Sequence, residues 1–251
     1  MKDFKIGIQL YPLREDMEKD MDATLKKVKE MGYDCVEFAG YFGHSAEEVK
    51  AMLDKYGLEC VSVHQGPQLF ADEGQSAVDY IKTLGAKYSA IPGHDVACLA
   101  GTEKWPETVE LFTKVGKLLK ENGIQQLYHN HDFEFKKFED KCLFDWIFDT
   151  IPADYIQPQV DTCWVHYAGF EPVEYIEKYA GRMDVIHIKD YVCDNGIEFR
   201  PLGMGEENIP AILEAAKKFG VEYIIVEDET ENRPPIEAVE ISRKYLKSLG
   251  L

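Results

Sequence analysis

A helix–glycine–strand unit that recurs along the chain is the feature that most constrains its fold. In each copy an amphipathic helix ends at a glycine, and a short apolar strand begins one to three residues later; the glycines are Gly32, Gly57, Gly85, Gly123, Gly181 and Gly220. Glycine readily takes the left-handed conformation that ends a helix, and β-branched residues then favour extension. The repeat predicts strands that alternate with helices, the pattern of a parallel sheet.

Two further strands complete the repeat. Lys5–Leu10 is predicted to form the first strand, and Ile156–Val160 another that follows a helix over Leu143–Ile151. Ser45 and Glu48 have the spacing of a capping box, which predicts a helix start. Eight such units favour closure into an α/β fold of the (β/α)8 TIM barrel type, with an open doubly wound sheet as the alternative. No Pro- or Ser-rich linker divides the chain, so we predict a single domain over 1–251.

Composition narrows the partners and the compartment. The net charge of −18 repels phosphate backbones and anionic lipid, so nucleic acid and membrane surfaces are not expected partners. The six cysteines form no C-x-x-C pair and several lie in apolar runs, which is typical of thiols in a reducing compartment. The first residues lack a signal peptide, and no run of about 18 apolar residues occurs. These patterns predict a cytoplasmic protein.

Polar side chains concentrate where the predicted strands end. They are Glu37 after strand two, His64 after strand three, His129, Asn130 and His131 after strand five, Asp161 after strand six, His187, Lys189 and Asp190 after strand seven, and Glu227, Asp228 and Glu229 after strand eight. The carboxyl ends of barrel strands converge on one mouth, where chemistry is expected. A single histidine at a strand end more often packs than binds a ligand. Two imidazoles and two carboxylates at equivalent points instead predict a site for Mn²⁺, Co²⁺, Mg²⁺ or Zn²⁺.

Five short motifs resemble the sugar phosphate isomerase/epimerase proteins of the xylose isomerase-like TIM barrel superfamily, which includes ketose 3-epimerases and inosose dehydratases. The motifs are Tyr128–Phe135, Asp161–Trp164, His187–Asp190, Pro201–Gly205 and Val226–Glu227, and the resemblance covers essentially the whole chain. It implies one divalent metal, Mn²⁺ first among the candidates, held by residues from strands five to eight. Carried over by position, these ligands are His129, Asp161, His187 and Glu227.

This chain departs from the epimerases at two positions. His129 stands where they have a carboxylate, so their paired-glutamate proton shuttle does not transfer directly to this chain. Trp164 stands where they have a substrate-binding histidine, which leaves the substrate open.

The chemistry expected of such a site begins with removal of a proton beside a carbonyl. Glu227 is the first candidate for the base, His129, His64 and Glu134 are candidates for the opposite partner, and Lys189 is predicted to bind a substrate oxygen or oxyanion. Glu37 is predicted to orient a ligand or bind a sugar hydroxyl, and Trp164 to form a stacking wall. Arg200, the one cation near Gly203–Glu207, and Glu134 are also predicted to bind the substrate. For each of these residues, the alternative is a side chain that is merely solvated or packed and has no function at the site.

Several functions compete at this point. The first is a metal-dependent isomerase or epimerase of a sugar or polyol, which acts through an enediolate. The second is a lyase or dehydratase acting on a keto-sugar, keto-inositol or 3-keto-glycoside. An apurinic endonuclease would need several zincs and a basic DNA-binding surface, and a barrel without activity would bind no metal. Related barrels often form dimers or tetramers, so a homo-oligomer is possible and the oligomeric state stays undecided.

Overall fold

The computed structural model describes residues 4–251 and shows eight parallel strands ringed by helices. The barrel strands, labelled in chain order, are β1 (Lys5–Gln9), β2 (Cys35–Phe38), β3 (Glu59–His64), β4 (Tyr88–Ile91), β5 (Gln125–His129), β6 (Gln157–Gln159), β7 (Val185–Ile188) and β8 (Tyr223–Val226). The helices are α1 (Arg14–Lys19), α2 (Met21–Met31), α3 (Ala46–Tyr56), α4 (Pro67–Glu73), α5 (Gln75–Leu84), α6 (Trp105–Glu121), α7 (Leu143–Thr150), α8 (Thr162–Tyr167), α9 (Pro172–Lys178), α10 (Ile209–Phe219) and α11 (Pro235–Ser248).

The strand order closes the sheet into a barrel. Strands β1 to β6 pair in sequence order, and β8 pairs with both β1 and β7. Between β6 and β7 the ladder is reduced to one bridge, Asp161 with His187, where the His187 N–H donates to the Val160 carbonyl at 2.9 Å. The barrel is therefore nearly closed, which confirms the TIM barrel prediction over an open sheet.

The local signals that predicted the helix boundaries are present in the structure. All six repeat glycines have positive φ, for example 94° at Gly32, which ends α2. Ser45 accepts a hydrogen bond from the Glu48 N–H while the Glu48 side chain accepts one from the Ser45 N–H, so the capping box is confirmed. The single-domain organisation stays a prediction.

Side chains alternate between inward and outward positions along each strand, and the inward positions change from apolar to polar at the mouth of the barrel. In β7, Val185 belongs to a small buried cluster inside the barrel, whereas Ile186 belongs to the larger core between strands and helices. Because side chains alternate with period two, the next inward position is His187. The same reasoning places three other side chains at inward positions of their strands or just past them: Glu37, His129 and Glu227. The polar mouth is thus the uppermost layer of a filled barrel.

Two short hairpins that the sequence did not predict extend from the mouth side. One pairs Lys137–Phe138 with Lys141–Cys142 after β5, and the other pairs Asp190–Cys193 with Ile197–Arg200 after β7. Within residues 4–251, none of the helices combines the length and the apolar character needed to cross a bilayer.

Candidate active site

Four side chains from neighbouring strands meet at the mouth. One ligand atom from each of His129, Asp161, His187 and Glu227 lies within 4.8 Å of the others. His187 Nδ1 is 2.8 Å from Glu227 Oε2, and His129 Nε2 is 3.8 Å from Asp161 Oδ2 and 4.0 Å from Glu227 Oε2. Ligand atoms about 2.1 Å from a common ion are at most about 4.2 Å apart. The three separations of 2.8, 3.8 and 4.0 Å lie within that limit and suit a shared cation. The structure brings the four residues together, and their function as ligands stays a prediction.

Asp161 is fixed with one oxygen directed into this group. Its Oδ1 accepts hydrogen bonds from the Cys163 and Trp164 N–H groups as the N-cap of α8, and the Asn130 side chain bonds both the N–H and the carbonyl of Asp161. Asp161 Oδ2 is buried and has no hydrogen-bond partner. A buried carboxylate oxygen without a partner is costly, and a divalent cation would satisfy it. The donor set fits a metal, and so does this oxygen, whose contact with the Lys189 ammonium at 3.4 Å is not a hydrogen bond.

Glu37 connects two imidazoles beneath the mouth. It is fully buried, and its Oε1 lies 2.6 Å from His187 Nε2, 2.9 Å from His64 Nε2 and 2.8 Å from the donating Gln9 Nε2. Gln159 Nε2 donates to its Oε2 at 2.7 Å. With His187 Nε2 donating to Glu37, its Nδ1 is directed at Glu227 Oε2, 2.8 Å away. A metal that replaced the proton on Nδ1 would meet a histidine already oriented by a carboxylate, as metal-binding histidines commonly are. The structure therefore places Glu37 against His187 and away from solvent, and its function stays a prediction.

Lys189 places a buried positive charge beside the carboxylates. Its Nζ lies 3.4 Å from Asp161 Oδ2, 3.2 Å from Glu227 Oε2 and 2.7 Å from Glu229 Oε1. Burial opposes the charge, but the carboxylates of Glu227, Asp161 and Glu229 hold the pKa of Lys189 well above its usual value. The residue is therefore an ammonium at neutral pH, not a solvated lysine paired with its neighbour in the chain.

That neighbour, Asp190, organises the loop that follows the hairpin. Its Oδ2 accepts from the Gly203 and Gly205 N–H groups, and its Oδ1 accepts from those of Tyr191 and Glu207. A Cβ at Gly205 would lie 2.2 Å from Asp190 Oδ1, so only glycine allows this approach. Two of the motifs noted in the sequence, His187–Asp190 and Pro201–Gly205, thus form one structural unit.

Trp164 lies over the Lys189 ammonium at one side of the mouth. Lys189 Nζ is 5.3 Å from the Trp164 ring and 5.5 Å from the Phe199 ring, and the two rings meet edge to face at 5.5 Å. Phe199 belongs to the second hairpin, which the sequence did not predict. Trp164 Nε1 and His131 Nδ1 are both buried without a partner, and their rings are 5.5 Å apart. This wall offers polar atoms as well as an aromatic face.

The protonation of the four clustered residues follows from their neighbours. Burial raises the pKa of Asp161 to about 6, with Glu227 adding to the effect and Lys189 opposing it. Burial works against charge on His187, yet Glu37 and Glu227 raise its pKa to about 10. Burial, followed by His187, holds the pKa of His129 well below its usual value, so this imidazole is neutral. Burial opposes charge on Glu227, but Lys189 and His187 keep its pKa low.

Two residues predicted from the sequence are not brought to this group. Glu134 is fully buried and accepts from the Tyr128 hydroxyl and the His131 N–H, both at 2.8 Å. Tyr128 faces the outer core, so the Glu134 carboxylate lies on the outer side of the barrel wall. Arg200 pairs with Glu198 at 2.6 Å on the second hairpin. His64 does lie at the site, with its ring stacked on His187 at 5.3 Å.

Sequence reasoning missed Gln9 and Gln159, and it noted Asn130 and Glu229 at strand ends without assigning them a function. Gln9 and Gln159 hold Glu37, Asn130 holds Asp161, and Glu229 holds Lys189. A buried amide at the carboxyl end of an otherwise apolar strand was the available signal for Gln9 and Gln159. Phe199 had no such signal, because its contact depends on a hairpin that local pattern did not reveal.

Comparisons with known proteins agree with this architecture. An inosose dehydratase of Geobacillus kaustophilus is 23% identical over 192 residues, which cover 67% of this chain and 61% of that relative's own length. A sugar phosphate isomerase/epimerase from Parabacteroides distasonis superposes with a TM-score of 0.83 at 26% identity, covering 98% of this chain and 95% of that one. The IOLI protein with a binding zinc atom superposes with a TM-score of 0.74 at 16% identity, covering 98% of each chain.

A sequence model for the xylose isomerase-like TIM barrel matches residues 25–249, which is most of the chain. The match includes seven of the eight barrel strands and all four clustered side chains. This chain belongs to the xylose isomerase-like TIM barrel family.

Proposed function

We propose that this protein is a metal-dependent isomerase or epimerase that removes a proton beside the carbonyl of a sugar or polyol. The observation that carries the proposal is the convergence of His129, Asp161, His187 and Glu227 around Asp161 Oδ2, which accepts no hydrogen bond. Two imidazoles and two carboxylates suit a divalent cation, with Mn²⁺ the first candidate and Co²⁺, Mg²⁺ or Zn²⁺ the others. The zinc in the IOLI structure supports a divalent metal at this kind of site.

When bound, the metal would supply a Lewis acid that polarises the substrate carbonyl and acidifies the neighbouring C–H. Glu227 accepts the proton, because its carboxylate is ionised and held by His187 and Lys189. The Lys189 ammonium stabilises negative charge that develops on the substrate oxygen. His64 lies beside His129, with their rings 5.0 Å apart, and delivers a proton taken from solvent to the substrate. His129 takes no part in this step, because it is a neutral imidazole that would bind the metal.

A dehydratase or lyase is the second candidate, and His129 favours it. Because His129 replaces the carboxylate that the epimerases carry on β5, the cluster offers a carboxylate base from β8 and none from the β5 position. A single α-deprotonation suffices when the enediolate then expels a leaving group, as from a keto-inositol, a keto-sugar or a 3-keto-glycoside. The inosose dehydratase relative supports this candidate.

We also propose a cytoplasmic enzyme with a small sugar or polyol as its partner and no nucleic acid or membrane partner. All six cysteines, each within the described part of the chain, are free thiols. The net charge of −18 argues against the basic DNA-binding surface that an apurinic endonuclease needs. A homo-oligomer stays a prediction.

Hydrogen exchange in D₂O tests the proposal. The Mn²⁺-loaded protein is incubated with a panel of ketoses, and proton NMR follows the loss of carbon-bound hydrogen; keto-inositol dehydration and aglycone release from a 3-keto-glycoside are followed in parallel. We expect metal-dependent exchange, abolished in Asp161→Asn and retained in Glu214→Gln, a control on the exposed face of α10. Exchange without release supports the isomerase, and release supports the lyase. A protein that binds no Mn²⁺ and acts on none of these compounds would be a barrel without activity.

A further inference from the structure

A cleft outside the clustered residues opens beside the ends of β2 and β3. It has a volume of about 540 Å³, and its walls include Gly40, Tyr41, His64, Gln65, Leu69 and Tyr80. Ligand pockets for small molecules typically have volumes of about 300–1,000 Å³, so the cleft is large enough for a sugar ring or an aromatic group. The function proposed above does not use it.

His64 lines the cleft and also contacts the residues of the candidate active site. Its Nε2 contacts Glu37 and Gln159, each at 2.9 Å, and its ring lies 5.0 Å from that of His129. The residue also lines the cleft, and its side chain is 7% exposed. The cleft and the clustered residues are therefore adjacent, and the His64 imidazole lies between them.

The cleft has a rigid aromatic wall. Tyr41 and Tyr80 stack with ring centroids 4.1 Å apart and an interplanar angle of 27°. Gln65 Nε2 donates to the Tyr41 hydroxyl at 3.1 Å, and the Tyr80 hydroxyl donates to the His44 carbonyl at 2.8 Å. Both rings are thus fixed before any ligand arrives, which lowers the entropy lost on binding.

Polar atoms accompany this apolar surface. Gln65 Oε1 is buried and has no hydrogen-bond partner, and Ser76 and Glu73 lie at the lining with Leu69 and Ala77. An aromatic wall with a few fixed polar groups is the usual composition of a small-molecule site.

We infer that this cleft binds the aglycone of a glycoside whose keto-sugar unit lies at the clustered residues, so that the substrate has two rings rather than one. The inference rests on the proposed function for the placement of the keto-sugar. A one-ring sugar at the cluster leaves the Tyr41–Tyr80 wall without a ligand. A two-ring substrate extends past His64 and places its second ring on that wall.

Equilibrium binding tests the inference without requiring turnover. Isothermal titration calorimetry of the Mn²⁺-loaded full chain compares glucose with phenyl glucoside and with a disaccharide, none of which carries the keto group that the reaction needs. One well-placed aromatic contact is worth about a tenfold gain in affinity. We expect both two-ring ligands to bind about tenfold more tightly than glucose.

Filling the cleft should remove that advantage. Ser76→Trp narrows it from α5, Glu73→Trp narrows it from α4, and Asp79→Trp is the matched control because Asp79 is exposed on α5 and does not line the cleft. Thermal unfolding establishes whether each variant is folded. Two filling variants are used so that the test still stands if one of them does not fold. We expect the control to keep the wild-type preference and the filled variants to bind all ligands alike.

Two results would overturn the inference. One is equal affinity of the wild type for one-ring and two-ring ligands, and the other is a two-ring preference that survives in a folded filled variant. Neither result depends on catalysis. The binding experiment therefore tests the cleft separately from the proposed reaction, which the D₂O experiment tests.

Discussion

Replacing Glu37 by glutamine tests how the barrel prepares its metal site. The carboxylate receives four contacts at 2.6 to 2.9 Å, from His187, His64, Gln9 and Gln159. Glutamine keeps one acceptor oxygen but turns an NH₂ group toward these donors. His187 then loses the acceptor that holds its Nε2–H, and its Nδ1 is no longer fixed toward the cluster.

The expected loss is large enough to measure directly. Removing the carboxylate that orients a metal-binding histidine typically lowers metal affinity about 10–100-fold, which corresponds to about 1.4–2.7 kcal/mol. Calorimetric titration of metal-free Glu37→Gln with Mn²⁺ measures it, and the unfolding temperature shows whether the variant is folded. Glu59→Gln is the matched control, because Glu59 begins β3 at the opposite end of the barrel. A folded Glu37→Gln whose Mn²⁺ affinity stays within twofold of wild type would refute the orienting function.

Three further predictions follow from the same contacts. Asp161→Asn keeps a side-chain oxygen that can cap α8, so we expect bound metal, measured by elemental analysis, to be lost while unfolding free energy changes by less than about 1 kcal/mol; full metal content would contradict this. Metal affinity should rise from pH 5 to 7, because protons on Asp161, with its pKa raised to about 6, compete with the cation at low pH; calorimetry at both pH values measures this, and a flat profile contradicts it. Burial raises the pKa of Glu134 to about 7, above its unfolded value, so the folded state binds the proton more tightly and stability falls as pH rises through 7. Glu134→Gln should flatten the decline in unfolding temperature between pH 5 and 8, and an unchanged slope would show that another group causes it.

Much of the fold was predictable because its signals are local. The glycine at the end of α2 and the capping box at Ser45 each act within a few residues, and both are present as predicted. The strand over Ile156–Val160 is confirmed with the shorter bounds Gln157–Gln159. The hairpin over residues 190–200 was missed, because its two strands are short and little in the local pattern separates them from a loop.

The site shows the same division. Convergence of strand ends in a barrel predicted that polar side chains would meet at the mouth, and the resemblance to the xylose isomerase-like superfamily selected His129, Asp161, His187 and Glu227 among them. Sequence spacing could not show that Glu134 turns to the outer wall, because its direction depends on the short helix over Phe133–Phe135 and on Tyr128.

The sequence by itself determined the succession of strands and helices and the polar character of the barrel mouth, since both follow from residue type and spacing along the chain. The tertiary structure alone decided which atoms face one another. Glu37, from β2, contacts His187 on β7, a separation of 150 residues along the chain. The Tyr41–Tyr80 wall likewise forms from two segments that meet only when the helices pack on the barrel. Contacts of this kind depend on how distant elements pack, and no local pattern encodes that packing.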